Sequence, residues 1–359
     1  MTLILSSKKT YIIAEVGVNH NGKISIAKKL IHQAKKAGAD AVKFQIYDSN
    51  LLVTSDAKQA PYQKKNMKIE ESQIKMLKRY EFDRKKYYLL KKFCKEKKID
   101  FMVSAFDESG VEFIMNKLKS NVIKIPSGEI NNVLLLKRLN TSNINVLIST
   151  GMSNYSEIIE AINTIAKKKV YKLINNKPKI VNNSTYKKIK KKICILHCVT
   201  DYPVDDQYAN LNCINNMIKD FNLYIGYSDH TLGIIASVIA SNKGARVIEK
   251  HFTLNKKMIG PDHLASLEPK EFKNMVKKIR QVELMQGDGI KKIQKCEIRN
   301  AKVARKSVVA KIPIKKNDKF TFDNLTLKRP GTGLNPFMIY KLINKKSKKN
   351  YKTDDLIKL

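Results

Sequence analysis

Short apolar runs that end in polar residues recur along most of the chain and alternate with stretches of helical spacing. Thr10–Gly17, Ala39–Tyr47, Asp100–Phe106, Val122–Gly128, Asn145–Gly151, Ile193–Val199, Leu223–Tyr227 and Val247–Ile248 read as buried strands. Helical spacing marks Ser25–Ala37, which stops at Gly38, and then Glu71–Arg79, Arg84–Lys98, Tyr155–Lys168, Leu232–Lys243 and Glu268–Met285. Strand signals alternating with helices in this way predict a (β/α)8 TIM barrel over residues 1–286. The competing open doubly wound sheet carries a glycine-rich phosphate loop after its first strand. Val16–Gly22 contains neither GxGxxG nor GxxxxGK(S/T), so the barrel is preferred.

Two segments break the rhythm. Leu51–Ile69, containing APYQKKN, is predicted as an irregular polar connector whose length marks it as a functional loop. Lys167–Lys192 is rich in lysine and asparagine without a sustained apolar period, and is predicted as an exposed insertion on the barrel's outer side. Beyond Gly287 the pattern changes. Strand-like pieces at Ser307–Lys311, Lys319–Phe322 and Leu325–Lys328 and a short helix at Met338–Leu342 predict a small α+β domain over 301–359, joined by a linker over 287–300.

Composition changes this picture little. A hydrophobic share of 43% suits a globular core, and no apolar run is long enough to span a bilayer. The opening MTLILSSKKTYIIAEVG enters a strand-like run without a signal-peptide cleavage site, so the chain reads as cytoplasmic. Five cysteines without CxxC spacing read as small apolar residues of a reducing compartment. A net charge of +38 raises the question of nucleic acid. The lysines are spread along the whole chain and are not interleaved with aromatic residues, so specific nucleic-acid binding is set aside. Anionic substrates remain compatible with the charge.

The chemistry gathers at the carboxyl ends of the strands, where barrel enzymes keep their sites. Those ends offer Glu15, Lys43, Gln45, Ser104, Lys124, Ser127, Glu129, Ser149, Thr200, Tyr202, Ser228, His230, Glu249 and His251. His230 and His251 close consecutive strands and are candidate ligands of a shared metal ion. Asp262 and His263, after the Gly260-Pro261 turn, are further candidates for a metal or a sugar hydroxyl. Two lysines with several hydroxyls describe a pocket for a small phosphorylated anion, and two imidazoles with a carboxylate describe a divalent Lewis acid. Glu15 and Glu129 stand where protons would be exchanged. Singly, each residue has a plainer reading: a histidine hydrogen-bonded at the rim, a lysine in a structural ion pair, Ser104 and Ser149 bonded to backbone, Glu15 neutralising a lysine. Their convergence favours a site, because buried charges cost several kcal/mol each.

The runs AEVGVNHNG, VKFQ, KIPSGE, STGM, HCVTDYP, GYSDHTLG, IEKHFT, GPDHLASLEP, VARKSVVAK and KRPGTG, in this order, resemble bacterial sialic acid (N-acetylneuraminate) synthases across nearly the whole chain. The resemblance implies condensation of phosphoenolpyruvate with an N-acetylated hexosamine, N-acetylmannosamine foremost, to give a nine-carbon acid and phosphate. It also implies a C-terminal antifreeze-like (SAF) domain and a domain-swapped homodimer. His230 and His251 match metal ligands for Mn2+, with Mg2+ or Co2+ as alternatives. Lys43, Lys124, Ser127, Ser149 and Ser228 match the phosphoenolpyruvate pocket, with Ser104 at its phosphate; Thr200 stands at that pocket where some relatives carry asparagine. Gln45, Glu129, Tyr202 and Asp262 match hexosamine contacts, Arg329 an arginine supplied by the partner subunit, and Glu15 a catalytic glutamate. Relatives making legionaminic acid share APYQ, ESQ and GPDH, so a 2,4-diacetamido-trideoxyhexose is the alternative sugar, with Asn66 and the Leu51–Ile69 loop expected to face the sugar's distal end. A Kdo- or DAHP-type aldol synthase fits the barrel but not the C-terminal module, and a decayed barrel binding polyanions leaves the charged rim unexplained.

Overall fold

The computed structural model describes residues 9–67, 69–139 and 144–359; the start of the amino-terminal run read above lies outside them. Strand β1 (Tyr11–Gly17) is buried at six of its seven positions, as a strand covered on both faces must be. Its alternation separates two environments. Ile12, Ala14 and Val16 join the large core beneath the helices, whereas Ile13 joins a second cluster with Ala41, Met102, Val122, Leu147, Cys194, Leu196 and Val247. That second cluster is the apolar plug of a closed barrel. β2 (Ala41–Ile46), β3 (Asp100–Ala105), β4 (Val122–Ile125) and β5 (Asn145–Ser149) follow in sequence and in space. A separate antiparallel hairpin, β6 (Tyr171–Ile174) and β7 (Lys177–Ile180), intervenes. β8 (Ile193–Cys198), β9 (Tyr224–Asp229) and β10 (Val247–His251) then return the sheet to β1, every barrel pairing being parallel. The barrel expectation holds.

The helices form for ordinary reasons. α1 (Ile24–Ala37) buries Ala27, Leu30, Ile31, Ala34 and Ala37 on one stripe and ends at Gly38, whose φ of 91° few other residues adopt. The connector after β2, predicted as irregular over Leu51–Ile69, contains α2 (Ser49–Leu52) and α3 (Pro61–Met67) instead, and the helix expected over Glu71–Arg79 follows as α4 (Gln73–Tyr80). Asp48 caps α2, whose Leu52 packs on a cluster of Val18, Tyr47, Met67, Met76 and Tyr80 that is distinct from the barrel core, while Leu51 is exposed. α5 (Arg84–Lys97), α6 (Glu108–Glu112), α7 (Val133–Arg138) and α8 (Tyr155–Ala166) continue the alternation, the last opened by a reciprocal Asn154–Glu157 cap.

The lysine-rich segment also corrects the sequence reading. It holds the β6–β7 hairpin and α9 (Asn183–Ile189), and it is anchored rather than loose. Tyr171 and Tyr186 are buried and donate hydrogen bonds to the carbonyls of Phe221 (2.7 Å) and Asn222 (2.8 Å), at the end of α10 (Asn212–Phe221). α11 (Ile235–Asn242) and α12 (Pro269–Gln286) complete the barrel. No helix among the described residues is long and apolar enough to cross a membrane.

The chain divides into one unit ending at Gly287 and a second spanning Asp288–Leu359. In the second, α13 (Ile298–Ala304) precedes β11 (Ser307–Ala310), which pairs antiparallel with β12 (Leu325–Lys328). Val308, Ala310, Ile314, Phe320, Leu325, Leu342, Tyr351 and Ile357 form its core, with α14 (Ile339–Leu342) alongside. Lys319–Phe322 is not a strand; Lys319 makes one isolated bridge to Lys346 while Phe320 is buried.

His20, in the turn after β1, is buried, stacks on Phe82 at 3.9 Å and accepts a hydrogen bond from the Gly22 amide. Burial, then the nearby Lys86 charge, push its pKa down to about 3. Between that value and the ordinary one near 6.5, the unfolded chain takes up a proton that the folded chain refuses. Stability therefore falls as pH drops through 6.5, by about 2 kcal/mol between pH 7 and pH 5. Thermal unfolding across this range should show at least that slope, and His20→Phe, which keeps the stack, should lessen it by about that amount.

Candidate active site

The two-residue period of the strands builds the site directly on the plug. Two positions beyond Ile13, Ala41, Met102, Val122, Leu147, Leu196 and Val247 stand Glu15, Lys43, Ser104, Lys124, Ser149, Cys198 and Glu249. They line a cavity of about 420 Å³ at the carboxyl ends of the strands, together with Gln45, Ser127, Glu129, Thr200, Tyr202, Ser228, His230, His251 and Asp262. Apart from His263 and Asn66, every barrel residue singled out from the sequence for catalysis or binding is on this cavity. Arg329 belongs to the second unit, where it is exposed.

At the floor, charges pair in a chain. Lys43 Nζ lies 2.8 Å from Glu15 Oε2 and 3.6 Å from Glu249 Oε2, and donates to Ser104 Oγ at 2.6 Å. Lys124 Nζ lies 3.4 Å from Glu249 Oε1, which also accepts from Ser228 Oγ at 2.8 Å. Gln45 donates to the other oxygen of Glu15 at 3.2 Å. Register explains the meeting, since Glu15 is level with Lys43 and with His251, Gln45 with Ser104, and Glu249 with Ser228. Burial alone would raise the pKa of Glu249, yet Lys124, Lys43 and the Ser228 hydroxyl hold it at about 2. Burial pulls Lys124 down, and the like charge of Lys43 opposes its protonation further. Glu15 is pushed up, burial outweighing Lys43. The plainer readings of Glu15 and the lysines are thus partly right: they do neutralise one another. Two lysines against two carboxylates leave no surplus charge when all four are ionised.

Above the floor the two imidazoles face each other, ring centroids 5.6 Å apart. His230 Nδ1 is committed to the Val199 carbonyl at 2.7 Å, and Nε2 lies 3.5 Å from Ser228 Oγ. His251 Nδ1 is buried without a hydrogen-bond partner and lies 4.0 Å from Asp262 Oδ2. Burial and the facing His230 pull the pKa of His251 well below its ordinary value, so the ring is a neutral donor of the kind a metal takes. Burial and the Glu15 charge raise Asp262 to about 7. No group of three or more His, Cys, Asp or Glu poised as ligands occurs among the described residues. The pair therefore fits a metal whose remaining positions go to water and substrate oxygen. Tyr202 covers the pair, its ring 4.1 Å from that of His230.

The hydroxyls divide. Ser149 Oγ and Thr200 Oγ1 are buried without partners, as groups awaiting a ligand would be, and not bonded to backbone. Ser127 Oγ accepts from the Gly151 amide at 3.0 Å, and Glu129, its pKa raised by burial, accepts from Asn132 at 2.7 Å. A Cβ at Gly151 would lie 2.0 Å from Thr200 Oγ1 and 2.9 Å from Ser127 Oγ. Gly151→Ala should displace both hydroxyls and raise the KM for the anionic substrate at least tenfold, readable by steady-state kinetics with the fold checked by circular dichroism.

Three sequence readings change here. His263 is no ligand: Nδ1 bonds Thr253 Oγ1 at 2.7 Å and Nε2 faces Asn21 Oδ1 at 3.2 Å, so it pins the loop behind Asp262. Asn66 donates to the Pro261 carbonyl at 2.7 Å, tying α3 to that same loop. Of the cysteines, Cys213 is half-buried and Cys296 exposed, and Cys198 is a wall of the site, 3.7 Å from His230 Nδ1 and from Ser127 Oγ. Tyr62, from APYQ, was not singled out, yet it lines the cavity and stacks on Tyr202 at 4.9 Å. Its signals were the length of the connector and the APYQ string shared with relatives making legionaminic acid.

Residues 30–291 match the model of the NeuB family. The chain belongs to the NeuB family. Along its length it is 44% identical over 351 residues to the N,N'-diacetyllegionaminic acid synthase of Campylobacter jejuni, covering 98% of this chain and 99% of that one. It is 39% identical over 345 residues to the enzyme of the same name from Legionella pneumophila, covering 96% and 92%. Among solved structures, the N-acetylneuraminic acid synthetase of Leptospira borgpetersenii, in complex with citrate, superposes with a TM-score of 0.67 at 30% identity, over 81% of this chain and 90% of that one. The family read from the motifs therefore stands, while the diacetyllegionaminic acid synthases are more similar in sequence than the sialic acid synthetase.

Proposed function

We propose that this NeuB-family protein is an N,N'-diacetyllegionaminic acid synthase, condensing phosphoenolpyruvate with a 2,4-diacetamido-trideoxyhexose to give a nine-carbon acid and phosphate. The observation that carries this reading is the likeness to two such synthases over nearly the entire chain. N-acetylmannosamine, the sugar placed first from the motifs, becomes the second choice.

In this reading Lys43, Lys124, Ser104, Ser127, Ser149, Thr200 and Ser228 bind phosphoenolpyruvate. Gln45, Glu129, Tyr202 and Asp262 hold the sugar. His230 and His251 hold a divalent ion, Mn2+ first, which supplies Lewis acidity at the sugar's aldehyde oxygen. Carbon three of phosphoenolpyruvate forms the new bond to the aldehyde carbon, and the aldehyde oxygen takes up a proton. Water adds to the cation left at carbon two and loses a proton, and phosphate departs by C–O cleavage. In this reading Glu15 and Glu129 carry those protons. The second unit is proposed as the antifreeze-like domain of a domain-swapped homodimer, in which Arg329 serves the sugar bound by the other subunit.

The test is phosphate release by EDTA-treated protein given phosphoenolpyruvate and either sugar, with and without Mn2+. Metal-dependent release with the diacetamido sugar, well above that with N-acetylmannosamine, is expected. Absence of release with both sugars from folded, metal-loaded protein would overturn the synthase reading.

A further inference from the structure

The cavity walls are chemically uneven. β4, β5, β8, β9 and β10 contribute Lys124, Ser149, Thr200, Ser228 and the two histidines, from the strands or the turns that follow them. The sector after β1, β2 and β3 contributes Leu52, Val53, Met76, Leu77 and Phe106. Leu52, Leu77 and Phe106 pack on the hydrophobic cluster that contains Met76, apart from the barrel core. Two of the polar groups on this side, where Gln73 and Tyr80 also line the cavity, already have partners. Tyr47 donates its hydroxyl to the Leu77 carbonyl at 3.1 Å, and the Gln63 amide accepts from Ala60 N at 3.0 Å and donates to the Tyr62 hydroxyl at 3.3 Å.

A hexosamine whose aldehyde is held at the histidines must send its far carbons along one wall or the other. In the reading above, the lysines and hydroxyls take phosphoenolpyruvate, and Gln45, Glu129, Tyr202 and Asp262 hold the sugar nearer its aldehyde. We infer that the apolar wall of Leu52, Val53, Met76 and Leu77 is the specificity element, which takes the deoxygenated methyl end and the second acetamido methyl of the sugar and disfavours a hydroxylated hexosamine. This inference rests on the proposed function. A hydroxyl buried there would lose its water without gaining a partner, whereas a methyl group would gain contact. An apolar pocket rejects an added hydroxyl by about two orders of magnitude at most, which bounds the effect.

The experiment compares kcat/KM for 2,4-diacetamido-2,4,6-trideoxymannose and N-acetylmannosamine in the full-length, Mn2+-loaded protein and in Leu77→Gln, Leu52→Asn and Leu77→Met. The wild type should prefer the diacetamido sugar by roughly ten- to a hundredfold. Leu77→Gln and Leu52→Asn should each cut that preference at least tenfold with the KM for phosphoenolpyruvate unchanged, while Leu77→Met keeps it. Leu52 and Leu77 are only half-buried, and should one polar variant fail to fold, the other decides. A preference unchanged in a folded polar variant overturns the inference alone. Turnover by the wild type confined to N-acetylmannosamine overturns the legionaminate reading, and is seen before any variant is made.

Discussion

Replacing His251 by alanine is expected to lower kcat/KM about a thousandfold while leaving the thermal midpoint within a few degrees of the wild type. The ring is buried and its Nδ1 makes no hydrogen bond, so its removal strands no protein partner. A metal acting as a Lewis acid is worth several kcal/mol in the transition state, and ~4 kcal/mol corresponds to about three powers of ten. Small apparent effects on folding and large effects on rate are the mark of a group kept for a ligand. His230 differs in that it also bonds the Val199 carbonyl, so His230→Ala should cost stability as well as rate. Mn2+ titration calorimetry on the substrate-free proteins separates the two roles from activity: both variants should lose binding. A His251→Ala protein with wild-type turnover and wild-type Mn2+ affinity would return this histidine to the status of a rim residue.

How much of this was legible in the chain depends on the length of the period that carried it. Barrel strands reveal themselves by continuous apolar runs, and the two-residue step from Ile13 to Glu15, or from Val122 to Lys124, lifts the chemistry from the plug to the mouth. Those positions were readable because one strand suffices to show the pattern. The connector from Leu51 to Ile69 was not, because α2 and α3 are too short for a helical period to register, and Tyr62 acquires its role only by stacking on Tyr202. The segment at Lys167–Lys192 misled for a related reason. Its lysines dominate the composition, while its anchorage depends on Tyr171 and Tyr186, whose hydroxyls reach carbonyls far along the chain. His263 shows the converse error. A histidine beside a plausible ligand looks functional until both of its nitrogens are found in use.

The largest effect on stability is expected from Asp229. It sits with Lys250 on the outer face of the two strands whose inner face carries the histidines, paired in register, and both side chains are fully buried. Lys250 Nζ lies 3.0 Å from Asp229 Oδ2 and donates to the Thr231 carbonyl at 2.5 Å. Asp229 additionally accepts from the amide and hydroxyl of Thr231 and from Ser237 Oγ. The two partners are therefore unequal. Removing Lys250 leaves the carboxylate with three donors, whereas removing Asp229 leaves the ammonium with one carbonyl. Breaking a buried pair costs about 3–5 kcal/mol because the survivor's charge is uncompensated. Asp229→Leu should reach that range and Lys250→Met fall below it, and the double variant should be less destabilised than the sum of the two. Urea unfolding of the four proteins measures all three quantities, and additive losses would deny the coupling. On the inner face, Ser228 and Glu249 join the same strands by their own hydrogen bond. The histidine pair is thus clamped from both sides of the sheet, and either single variant that folds should bind Mn2+ about ten- to a hundredfold more weakly, as loss of a metal's supporting residues commonly does.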